Sequence, residues 1–464
     1  MTKAKKLRNL LRAFSQFHEN EKLIVWVQSQ RMVIWLTPKR RKFMLFFGAL
    51  VVGYRGMLKR HVRRSDSLTK SWLVPPLTYC ILLGLVYLLY LAAVHFQKLP
   101  SAIRRRPQIS LHLLFWAILS FLWLTPDDGG ILRNVLVLVV ISLPFLLWRC
   151  GYMLMSGQRG KARGTNFRDH LIYLWPVWGG TNTPIGKGFD YLSQCESQTP
   201  NRYARSVATA LRLFILAILL DLVRFVLDAI LYGDSRNALA RSLAGFSLGV
   251  PPLNEIVTGQ QPASVFTSWM VLYLELIRAT LAHAVVGHKW VSLLRLFGFN
   301  VFRNTYKPLL AQTIVDFWNR YYYYFKELLV EFFFFPTYVR CRGMGPKLRM
   351  FVAVFAAAFV GNMYYHFLQA KAYLAAGQVS EVWEGLSPRM IYCFLLALGI
   401  YISMLRQQHQ RGKVAQQDSK TAKLIKLRRI AGVWTFFGLI NFWNTRTTAS
   451  TPERIRFFLS LFGL

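Results

Sequence analysis

Apolar runs long enough, or nearly long enough, to cross a bilayer recur along the whole chain, and they constrain its fold more than any other feature. They cover Trp72 to Phe96, Leu111 to Leu124, Ile131 to Trp148, Ala208 to Tyr232 and Val265 to Val286, then Tyr321 to Phe335, Met350 to Leu368, Met390 to Met404 and Ile430 to Phe442. A hydrocarbon core about 30 Å thick needs roughly 20 helical residues. Backbone inside lipid must satisfy its own hydrogen bonds, which a helix does within one segment. The pattern predicts an all-α, polytopic transmembrane protein with about nine to twelve membrane segments, the range depending on how the shorter runs are counted.

Composition narrows the class further. Of 464 residues 54% are hydrophobic and 17% charged, which excludes a soluble, disordered or fibrous chain. The 58 Lys and Arg against 20 Asp and Glu give a net charge of +38. These basic residues punctuate apolar runs all along the chain instead of gathering on a soluble module. The excess therefore points to membrane lipids as partners and to topology-setting loops, with no nucleic acid expected. The five cysteines lie far apart with no C-x-x-C or Cys/His pair at ligand spacing, so no metal site is expected.

Three regions follow. Residues 1–70 form a basic membrane-surface segment, with 17 Lys and Arg against three acidic residues. Its apolar stretches, Leu23 to Leu36 and Phe43 to Tyr54, are too short to span, and Lys39-Arg40-Arg41-Lys42 between them suits anionic headgroups. Residues 71–405 form the polytopic membrane domain, and 406–464 a basic tail with a last hydrophobic segment. The N-terminus lacks the compact apolar region and cleavage site of a secretory signal, and is expected to be retained and cytoplasmic. Positive-inside reasoning puts Arg104-Arg105-Arg106 and Arg159 to Arg168 in the cytoplasm and Asp127-Asp128 outside. A single crossing by Trp72 to Phe96 would then leave the basic segment 1–70 outside. Either an earlier run spans, or Pro75-Pro76 makes that first segment a non-crossing hairpin.

Polar groups inside apolar helices are functional candidates, although many only satisfy one another. Asp221, Arg224 and Asp228 share a helical face on which the arginine can pair with both carboxylates. Glu275 and Arg278, three apart, read the same way. His283 and His288, five apart, face different directions. His61 and Asp66 in HVRRSD have the spacing of the His–Asp dyad of glycerolipid acyltransferases, but a basic stretch facing headgroups explains them better.

The segment from Gly298 to Arg340, GFNVFRNTYKPLLAQTIVDFWNRYYYYFKELLVEFFFFPTYVR, carries a more specific likeness. Its Tyr306-Lys307-Pro308-Leu309, Asp316-Phe317-Trp318-Asn319-Arg320 and closing Phe335-Pro336 resemble the signature of the membrane-bound O-acyltransferase family, above all its bacterial, envelope-modifying branch. Leu174-Trp175-Pro176 and Gly179 to Ile185 are a weaker echo, so the likeness covers about residues 170–370. The resemblance implies a helical wall around a tunnel in the bacterial inner membrane. It implies an acyl-CoA or acyl-carrier-protein thioester as co-substrate, no bound cofactor, and a hydroxyl acceptor on an envelope polysaccharide, lipid or protein. It makes His366, in GNMYYHFLQ and 44 residues after Tyr322, the catalytic base. Asp316, Trp318, Asn319, Arg320, Tyr322 and Asn362 become the substrate-binding residues. Where the bacterial branch has a second histidine, this chain has Tyr322.

The chemistry of His366 stands beside that likeness. An imidazole within hydrogen-bond reach of a hydroxyl can take its proton as it attacks a thioester, and burial keeps a histidine neutral for that role. Asn362, one turn earlier, and Gln369, three residues later, are placed to orient it. The alternative is a histidine packed against a neighbouring helix in a non-catalytic membrane scaffold or transport component. A tunnel joining His366 to Asp316–Tyr322 separates the two.

Overall fold

The computed structural model describes residues 16–54, 72–127, 129–174, 183–185, 187–233, 247–410, 419–445 and 449–464. Its regular structure is helical throughout. Among the described residues the one β pairing is an isolated antiparallel bridge between Glu196 and Phe299. His61, Asp66, Asp128 and the stretch Trp175–Asn182 lie outside the described residues.

Six helices among the described residues are long and apolar enough to cross a membrane, as in an integral membrane protein. They are Val74–Val94, Pro107–Leu124, Ile131–Gln158, Val265–Leu296, Pro346–Gln369 and Val379–His409. The hairpin reading of the first run is overturned. Pro75 and Pro76 sit in the first turn of one uninterrupted 21-residue helix, where a missing N–H breaks no intrahelical bond. The run Ala208 to Tyr232 lies in the 33-residue helix Pro200–Tyr232, which is not among the six. The run from Tyr321 is interrupted at once, as described below. Near the N-terminus the helices Glu21–Ser29 and Arg31–Trp35 are short, and Pro38–Tyr54 has 17 residues.

The chain divides into two compact units. The first contains residues up to Phe214 together with Lys289–Phe302 and Leu368–Val382. In it Val74–Val94 and Pro107–Leu124 both pack on Ile131–Gln158. The apolar stretch of that third helix is 67% buried, against 22% and 28% for the other two, so it is the centre of the group. Gly157 allows the approach, since a Cβ there would lie 2.4 Å from the Ala93 carbonyl oxygen. Leu88, Leu113, Phe121 and Leu124 remain exposed on the outer two helices, surfaces suited to lipid. At the N-terminal helices Arg41 is buried against the Tyr203 ring, 4.0 Å from its centroid, and donates to the Ser197 carbonyl at 2.8 Å. His170, in the helix Phe167–Leu174, is buried with its Nε2 2.7 Å from the Thr165 hydroxyl oxygen, and burial pushes its pKa down to about 4.

The second unit contains Ile215–His288, Arg303–Phe367 and Trp383–Leu464. Its core gathers Met350, Val354, Ala358 and Ala397, with Phe334, Phe355 and Ile400 packed around them. Gly399 lets the Phe436 ring come close, where a Cβ would stand 2.4 Å from it.

Candidate functional site

All of the site lies in the second unit, and it is built from a deliberate break in a helix. Thr313 caps the helix Ile314–Tyr321, its hydroxyl accepting from the Asp316 N–H at 3.0 Å and from Gln407 Nε2 at 2.9 Å. Asp316 accepts from the Gln312 N–H at 3.2 Å and from Arg320 Nε at 2.7 Å, one turn on. Tyr322, at φ −145° and ψ 71°, then ends the helix. The loop before it holds the break in place. The Asn304 carbonyl and side-chain oxygens accept from the Tyr323 and Tyr324 N–H groups, and Thr305 donates to the Tyr321 carbonyl at 3.0 Å. Lys307 has a φ of 47°, left-handed and alone in this among the described non-glycine residues.

The next helix starts at Tyr323 and runs to Leu329, becomes π-helical over Val330–Phe334 and resumes as Phe335–Arg340. The helix that carries Asn362 contains a second π-helical stretch, Ala356–Gly361. The two stretches approach closely at Gly361, where a Cβ would stand 2.6 Å from the Phe333 ring. A π turn takes up an extra residue by widening the helix locally, and such turns recur at functional sites.

Between these elements is a pocket of about 250 Å³. A single water needs only about 10–15 Å³ of such space. The two π stretches supply Val330, Phe334, Ala357 and Ala358 to its walls, and the helix Val379–Gln410 supplies Leu396, Ile400 and Met404. The lining is almost wholly apolar. Its polar members are Trp318, the exposed Asn319, the half-buried Lys326 and Asn362. Lys326 is ion-paired with Glu327 and lies over the Tyr323 ring. Trp318 is 8% and Asn362 2% exposed, and the Trp318 Nε1 and Asn362 Oδ1 atoms have no hydrogen-bond partner among the described residues. Buried polar atoms left this way cost about 1–3 kcal/mol each.

The expected site residues therefore divide. Trp318, Asn319 and Asn362 line one pocket. Asp316 and Arg320 do not, because they hold each other. Tyr322 and His366 do not line it either, but both meet Phe325, with ring centroids 5.5 Å and 6.2 Å from it. The Phe325 ring also meets Trp318 at 6.4 Å and Tyr365 at 4.7 Å. His366 is half-buried, one helical turn beyond Asn362.

Two residues gain a place that spacing did not suggest. The His283 ring lies 5.0 Å from Tyr321 and 5.4 Å from Tyr322, a long-range approach with no local signature. Lys326 lines the pocket; a lone lysine between aromatic residues carried no signal.

The charged triplet and the charged pair read separately from the sequence form one network. Arg224 pairs with Asp221 at 2.9 Å and with Asp228 at 3.8 Å, while Arg278 reaches Asp228 and Glu275, each at 2.6 Å. Among the described residues no group of three His, Cys, Asp or Glu side chains converges to hold a metal ion. No family model matches the sequence, and no curated protein matches it.

Proposed function

We propose that this chain is a membrane-bound O-acyltransferase that moves an acyl group from a thioester donor, acyl-CoA or an acyl-carrier protein, to a hydroxyl acceptor. The observation that carries this reading is the apolar pocket with two partnerless polar atoms, one of them on Asn362 a single turn before His366. An acyl group is an apolar body with a polar reacting end, and the pocket has the same division. In the proposed step His366 takes the proton of the acceptor hydroxyl as its oxygen attacks the thioester carbonyl. The carbon–sulfur bond then breaks and the thiol leaves with that proton, giving an ester and a free thiol. Asn362 and Trp318 position the reacting groups, and Phe325 couples His366 to the Trp318–Tyr322 segment through ring contacts. In this reading the enzyme lies in a bacterial inner membrane with the donor arriving from the cytoplasm.

The test is mass spectrometry of envelope polysaccharides, lipids and proteins from cells carrying the wild type or His366→Ala at equal abundance. Loss of one ester in the variant supports transfer and names the acceptor. Unchanged esters favour the second reading, a scaffold or transport component that binds a lipid without reacting it. That reading has its own support, since His366 does not line the pocket.

A further inference from the structure

The N-terminal helices of the first unit present a face that is cationic at one end and apolar along its length. From Lys22 to Tyr54 the sequence carries six Lys and Arg and no acidic residue. The consecutive cations Lys39 to Lys42 have divided roles. Arg41 is buried on the Tyr203 ring, and Lys42 reaches Glu196 at 3.1 Å, so the protein holds both. Lys39 and Arg40 are exposed, and Arg40 lies over the Trp35 ring, 5.1 Å from its centroid.

The helix Pro38–Tyr54 is apolar on its outer side as well. Arg41, Leu45 and Ala49, spaced one turn apart, are buried, whereas Phe43, Met44, Phe47 and Val51 are each at least 40% exposed. A helix that meets water shows polar side chains there, so an outer face of this kind fits lipid. Its depth agrees. Tyr79, in the apolar helix Val74–Val94, donates to the Leu50 carbonyl at 2.7 Å, and its ring meets that of Tyr54 at 5.4 Å. The Leu50 end thus stands beside a helix suited to hydrocarbon, and Lys39 and Arg40 stand at the other end. From Lys39 to Val51 the helix rises about 18 Å, close to one leaflet of a hydrocarbon core about 30 Å thick.

We propose that Pro38–Tyr54 enters one leaflet and that its outer face binds one anionic phospholipid, the phosphate at Lys39 and Arg40 and an acyl chain along Phe43, Phe47 and Val51. Trp35 then lies at headgroup level, where indole rings are favoured. The site belongs to the first unit and stands or falls without the acyl-transfer reading.

The test uses the full-length protein in phosphatidylcholine nanodiscs with a trace of phosphatidylglycerol or phosphatidylcholine that carries a diazirine on one acyl chain. Light cross-links the probe, and peptide mass spectrometry maps it. At Phe43–Val51 the phosphatidylglycerol probe is expected to react about tenfold more than the phosphatidylcholine probe, since each cation near a headgroup favours an anionic lipid several-fold. Lys39→Gln with Arg40→Gln should bring the ratio close to one, and each single variant should lower it part of the way. Lys423→Gln with Lys426→Gln removes the same charge from the second unit and should leave the ratio alone. Equal reaction of the two probes in the wild type, as for any lipid touching an apolar surface, overturns the proposal. So does an equal effect of the Lys423 pair. No reaction at Phe43–Val51 with either probe, the result expected if a second copy or another protein covers the face, overturns it as well. Displacement of the phosphatidylglycerol probe by soluble glycerol phosphate would assign the cations to a free phosphate and have the same force.

Discussion

Between Asp221 and Arg278 five charged side chains each have a partner of opposite sign, whereas around Trp318 and Asn362 buried polar atoms have none. Both regions lie in one unit. The difference separates two uses of polarity in a low-dielectric setting. A closed network ties helix Pro200–Tyr232 to helix Val265–Leu296 and asks nothing further of its surroundings. An open one leaves its needs to whatever enters.

Opposite outcomes are expected when the two are mutated. Asp228→Ala leaves each arginine one carboxylate, Asp221 for Arg224 and Glu275 for Arg278, but removes the link between the two helices, and should lower stability by about 2–3 kcal/mol, read as a fall in thermal midpoint in detergent. An unchanged midpoint would mean that the network is dispensable.

A protonation test in the first unit applies the same logic to a single buried group. His170 keeps its neutral form in the fold down to about pH 4, whereas an unfolded histidine protonates near 6.5. Its contribution is therefore complete above pH 6.5 and is lost as pH falls from there towards 4, by about 3 kcal/mol at most. His170→Gln should flatten that part of the stability–pH curve, and a curve of unchanged slope would count against the burial of His170.

Packing comes next in size. Gly361→Ala puts a methyl into the Phe333 ring, and Gly157→Ala puts one into the Ala93 backbone. Each should cost about 1–3 kcal/mol. Only Gly361→Ala should also lower the ester yield of the proposed transfer, and equal effects of both on that yield would blur the line drawn around the pocket. The smallest effect has the opposite sign: Asn362→Leu removes an unsatisfied acceptor and should leave the ligand-free protein unchanged or stabilise it by about 1 kcal/mol. A marked loss would show that Asn362 has a structural partner after all.

Much of this was legible in the sequence. Apolar run length located all six long apolar helices, because lipid imposes one solution on the backbone. The Asp316–Arg320 block located Trp318 and Asn319, but residue type alone does not tell a carboxylate that binds substrate from one that braces its own helix. Asp316 pairs with Arg320 at i+4 and so braces its own helix. The two π stretches were invisible, since nothing in VEFFF or AAAFVG differs from an ordinary apolar helix and tertiary packing decides their hydrogen-bond pattern. For the same reason the joining of Asp228 to Arg278 was out of reach: each helix showed its own pairs, and only packing brought Asp228 to the second arginine.

A π stretch holds one residue more than the α-helix around it requires, so in genetic terms each is a tolerated insertion. Removal of a single alanine from Ala356–Gly361 need not break the helix; it can restore the plain α pattern. Every side chain beyond it, Asn362 and His366 among them, would keep its face of the axis, because the widened turn is what absorbs the extra residue. One lost codon would thus spare the faces of Asn362 and His366 and change only the wall that Ala357 and Ala358 give the pocket, leaving a membrane protein of nearly the same sequence with a reshaped site.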